Sequence, residues 1–82
     1  MDENHLTVYL KLQNLYVDTY DHLYINKQYF KAMEQFSLII HTIDVYLKSN
    51  AVNLLTEKTF IELKDKCQKN LNTNRKNVTV CF

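Results

Sequence analysis

The residues able to do chemistry in this chain are three histidines, two cysteines and a handful of carboxylates, and their spacing decides little in favour of catalysis. His5, His22 and His41 stand too far apart to form a local ligand pair, and Cys67 and Cys81 have no partner at metal-like spacing. A zinc site would need tertiary placement alone. Asp18 and Asp21 fall on neighbouring turns of a helical pattern, where paired carboxylates can share acid and base roles. No nucleophile or oriented base accompanies them, so they read as solvated helix charges. Six tyrosines, four of them between Tyr9 and Tyr24, have faces on which bases stack, but no basic residues are interleaved with them. Nucleic acid is therefore not an expected partner. The expectation is a non-catalytic chain that needs no metal or cofactor.

Those side chains must be positioned by helices. The 82 residues include no Gly and no Pro, which removes the usual residues for phosphate-cradling loops, αL turns and helix breaks. Leu, Lys, Gln and Glu are spread throughout, and their propensities favour helix. A chain of this length makes one small domain with a modest core and little stability to spare.

The pattern predicts three helices. The first spans about Asn4 to Tyr24, with Leu6, Tyr9, Tyr16, Tyr20 and Leu23 on one stripe and Val8, Leu12 and Leu15 forming a second line. Two lines are more than one interface requires. Asn26, beside the turn, tolerates the left-handed conformation that Gly would otherwise supply. The second helix spans about Gln28 to Lys48, with Tyr29, Ala32, Phe36, Ile39, Ile43 and Tyr46 or Leu47 inward. Ala32 between Tyr29 and Phe36 allows a close crossing with the first helix. Met33, Leu38, Ile40 and Val45 are left over, so this helix is apolar on more than one side. Thr56 reads as the N-cap of the third helix, with Glu57 in its first turn and Leu55 and Phe60 as a hydrophobic staple. Phe60, Leu63, Cys67 and Leu71 form its inward stripe. From Asn72 the sequence is polar and uncapped, which predicts fraying, and Val78 to Phe82 is a short β-prone end. The expected architecture is an all-α, single antiparallel three-helix bundle over residues 1–71, followed by a flexible tail over 72–82.

Charge is unevenly divided. Up to Tyr46 six carboxylates face three lysines, a net of −3; from Leu47 onward seven basic residues face three acidic ones, a net of +4. The third helix and tail thus carry the basic end, suited to guiding an acidic peptide or an anionic membrane, or simply to solvent. The acidic start, Met-Asp-Glu-Asn, stands where a secretory leader would be basic. A reducing, cytoplasmic setting is expected, with Cys67 as a small core residue. No run of about 18 apolar residues is present, so no integral membrane span is expected.

The series Tyr29-x-x-Ala32-x-x-x-Phe36, the apolar run to Leu47-Lys48, and Lys66-Cys67-x-x-x-Leu71 together resemble the MIT domain, the three-helix microtubule-interacting and trafficking module of ESCRT-associated ATPases. The first part is also similar to a tetratricopeptide repeat. The resemblance implies a groove between helices that accepts an amphipathic helix from an ESCRT-III tail, with Leu71 lining it. The chain departs from the family at Lys27, where Gly is common, in a longer segment from Lys48 to Cys67, and after Leu71, where Arg-Ala-Glu is usual. The expected partner site is a groove bordered by Met33, Ile40, Lys64 and Leu71, taking an amphipathic helix with acidic residues. The competing class is a small viral or phage-type helical regulator, or assembly subunit, that self-associates or binds a host protein.

Overall fold

The computed structural model describes the backbone of residues 3–24 and 27–80, with side chains described over 3–21 and 27–73. Three helices follow one another: α1 over Glu3–Tyr24, α2 over Tyr29–Ser49 and α3 over Leu54–Val80. The first two match the periodicity to within one residue at each end. The positions assigned to Asn26, Cys81 and Phe82 lie outside the described residues.

The chain runs down, up and down. His5 meets Tyr46 and Thr19 meets Gln35, so α1 and α2 are antiparallel. Asp44 pairs with Lys64 and Tyr46 stacks near Phe60, so α2 and α3 are antiparallel as well. Tyr9 against Phe60 and Tyr16 against Asn70 then set α1 parallel to α3. The bundle measures 44 × 18 × 16 Å. Its central element is α2, which packs along both neighbours, whereas α1 and α3 meet along a much thinner seam.

The core holds Ala32, Phe36, Ile39 and Ile43 from α2, Phe60, Leu63, Cys67 and Leu71 from α3, and Leu12 from α1. Both inward stripes expected for α2 and α3 are the buried ones. Ala32 is fully buried in the same helix face, as a close crossing requires. On α1 the second line is the one that packs: Val8, Leu12 and Leu15 turn inward with Tyr9 and Tyr16, while Leu6 and Tyr20 remain 42% exposed. The α1 stripe was therefore misplaced by part of a turn. Thr19 lies on the same inward face, fully buried, with its hydroxyl 2.7 Å from the Leu15 carbonyl and 2.7 Å from the Gln35 side-chain oxygen. A hydroxyl satisfied by both its own helix and a neighbour can be buried without the cost of a stranded polar group.

The helix ends show two further differences. Asn53, not Thr56, caps α3: its side-chain oxygen accepts the Thr56 N–H at 2.8 Å, and its carbonyl accepts the Glu57 N–H at 2.9 Å. Asn is at least as good a cap as Thr, and starting at Leu54 adds one turn to the buried stripe, with Thr56 2% exposed one turn before Phe60. The staple does not form, because Leu55 is 71% exposed while Phe60 is buried. At the α1–α2 turn Lys27 takes φ 54°, the left-handed region, at the position where the MIT pattern commonly has Gly. Beyond Leu71, α3 continues as helix through the polar segment to Val80.

Candidate partner-binding site

The seam between α2 and α3 is closed by the side chains that the sequence assigns to a groove. Leu71 is 4% exposed and belongs to the core cluster, so it cannot line a groove open to a partner in this conformation. Met33 and Ile40 are half-buried and pack against that cluster. Lys64 is already engaged: its Nζ lies 2.6 Å from Asp44 Oδ1 across the same seam. Leu71 thus lies in the core, Met33 and Ile40 pack against it, and Lys64 is held by Asp44. In this conformation Leu71 serves the core between α2 and α3 and presents no surface to a partner there.

The opposite seam, between α1 and α3, is built differently. Tyr9 sets its ring edge against Phe60, with centroids 5.7 Å apart at 90°. About two turns further along α1 and nearly three along α3, Asn70 Nδ2 donates to the Tyr16 hydroxyl at 2.9 Å, and Tyr16 leans on Phe36 at 5.9 Å. Tyrosines thus span this seam with their polar tips outward, a use suited to a partly wet boundary. Just outside them α1 carries Leu6, Leu10, Val17 and Tyr20, 42–52% exposed. Their spacing of four, seven and three residues keeps them on one face of the helix. Across the seam Lys66, one turn before Asn70, and Lys69 are exposed on α3. The α1 face was not singled out from sequence, although the two apolar lines on that helix carried the signal.

The chemistry-bearing residues settle into structural places. Cys67 is buried in the core, and burial pushes its thiol up to about 12, far from a reactive thiolate at neutral pH. His5 bonds the Tyr46 hydroxyl through Nδ1 and meets its ring edge-on, tying the start of α1 to the end of α2. Asp18 and Asp21 are exposed on α1. Among the described residues no group of three or more His, Cys, Asp or Glu is placed to hold a metal ion. No helix among them is long and apolar enough to cross a membrane. An open concavity of about 310 Å³ lies along the C-terminal half of α2, lined by His41, Thr42, Val45, Tyr46, Ser49 and Asn50.

Comparison with protein-family models, with curated proteins and with solved structures gives no match for this chain.

Proposed function

We propose that this protein is a non-catalytic interaction module that accepts an amphipathic helix of a partner protein along the α1/α3 seam. The observation that carries the reading is the stripe Leu6, Leu10, Val17 and Tyr20, exposed beside the thinnest packing in the bundle. A helix laid there would bury its apolar face on that stripe, and acidic residues on its flank would meet Lys66 and Lys69. Affinity would be modest, because a short segment that orders on binding loses several kcal/mol of its gross interaction energy. The three-helix topology is compatible with an MIT-like module, and the sequence resemblance points to a cytoplasmic role in ESCRT-linked trafficking, with the groove moved from α2/α3 to α1/α3.

The test is a fluorescence-anisotropy titration of the full chain with a labelled amphipathic helical peptide in acidic, neutral and basic forms. Micromolar binding with preference for the acidic form is expected, lost when Leu10→Asp and Val17→Asp are combined, with the far-UV helical signal retained. Binding that survives that double substitution, or no binding by any of the three forms, overturns the reading. A second reading, a small self-associating viral or phage-type regulator, is favoured by one different observation: the outward face of α2.

A further inference from the structure

The face of α2 that turns away from both neighbours carries Phe30, Leu38 and Val45, exposed by 68%, 54% and 47%. Glu34, Ser37, His41 and, at its end, Lys48 lie on the same face and are all exposed. Lys48 apart, they fall on two i, i+4 rows, Phe30–Glu34–Leu38 and Ser37–His41–Val45, the rows that form ridges in helix packing. The order of residues is nearly palindromic about the Ser37–Leu38 peptide. Turning a second α2 end for end about that point sets Phe30 opposite Val45, Glu34 opposite His41 and Ser37 opposite Leu38, each twice. Phe30 meets Val45, a carboxylate meets an imidazole N–H that can donate to it, and Leu38 lies over the small Ser37.

Shape agrees with charge. The most exposed aromatic, Phe30, stands near one end of the face, and the open concavity of about 310 Å³ around Val45 lies at the other. The same end-for-end operation brings each Phe30 ring to the other copy's Val45, at the rim of that concavity. At the centre, Ser37 is small enough to let the backbones approach, which an oblique crossing of i, i+4 ridges needs. From these observations we propose that the outward face of α2 is a homodimer interface, two copies crossing antiparallel about Ser37–Leu38 with Phe30 of each seated against Val45 of the other.

An isologous contact repeats every interaction, so each favourable pair counts twice. The face is only about 22 Å long at about 1.5 Å per residue, which puts the contact at the small end of specific interfaces. The dimer is therefore weak and concentration-dependent. It uses a different face from the peptide-binding stripe on α1 and stands independently of that reading.

Sedimentation equilibrium of the full chain from about 10 µM to about 1 mM tests the proposal in the window where small interfaces dissociate. The mass should rise with concentration from the 9.8 kDa monomer toward twice that value. Phe30→Asp should raise the dimer Kd by at least ~10-fold without loss of helical signal, since the ring is largely in solvent and an acid in the first turn of α2 suits the helix dipole. Glu34→Lys should also weaken the dimer, and adding His41→Glu to that variant should restore it, because the register places those two positions opposite each other. A monomer at every concentration overturns the proposal. So does a dimer that survives Phe30→Asp and disappears in Leu10→Asp, which would put the contact on α1, and so does a charge exchange that fails to restore association.

Discussion

The two seams that α3 makes are unlike each other in almost every physical respect. Against α2 it presents Phe60, Leu63, Cys67 and Leu71 to Phe36, Ile39 and Ile43, all buried, with the Lys64–Asp44 pair at the edge. Against α1 the described contacts include the edge of Tyr9 on Phe60 and the Asn70 amide donating to the Tyr16 hydroxyl. The first seam removes a large apolar surface from water and fixes the pair of helices. The second leaves α1 held mainly by α2, through Leu12, Thr19 and Ala32, and exposes an apolar stripe beside a shallow join. A bundle so divided keeps most of its buried apolar surface in one helix pair and leaves an exposed apolar stripe beside the other.

The largest expected effect is at the closed seam. Leu71→Asp places a carboxylate in the core and should cost about 3–5 kcal/mol or more, seen as loss of the cooperative thermal transition, whereas Leu10→Asp on the open side should change stability by less than about 0.5 kcal/mol. If Leu71→Asp melts like the parent, the α2/α3 seam is not the core and the comparison fails. Next is the crossing of α1 on α2: Ala32→Leu should overpack a site with no free volume and cost about 1–3 kcal/mol in chemical denaturation. An unchanged midpoint would mean that α1 does not press on Ala32.

The start of α3 gives an effect of intermediate size. Asn53→Ala removes the cap oxygen and should cost about 1 kcal/mol, and Thr56→Ala should also destabilise, but through lost packing in the core stripe. Equal silence of both would move the helix start elsewhere. At the open seam, Tyr16→Phe removes the hydroxyl that Asn70 reaches and should cost about 0.5–1.5 kcal/mol, with hydrogen exchange accelerated in α1 before α2 or α3. Uniform protection across the three helices would show that the seams are equally strong. The smallest effect concerns Lys64 and Asp44, whose side chains are 34% and 42% exposed. Asp44→Asn should lower stability by no more than about 1 kcal/mol, and less at high salt, since solvent screens a pair so exposed.

Much of this organisation was legible in the chain. The absence of Gly and Pro, the 3.6-residue periodicity and the polar breaks at the turns determined three helices and their order. The inward stripes of α2 and α3 were legible for the same reason: a run such as Phe60, Leu63, Cys67 and Leu71 leaves one face that can be buried. Three features were decided only in three dimensions. On α1 two apolar lines compete, and the face that is buried takes residues from both and includes Thr19, a polar residue that meets Gln35 sixteen positions away. At α3 both Asn53 and Thr56 are competent caps, and the extra buried turn settles which one serves. Leu71 lies on the right stripe in sequence, but whether that stripe faces a partner or its own chain depends on how closely α2 and α3 approach. Periodicity fixes which residues share a helix face, because that follows from the geometry of one helix; which face is covered, and by what, is set by packing between helices and has no signature within any one of them.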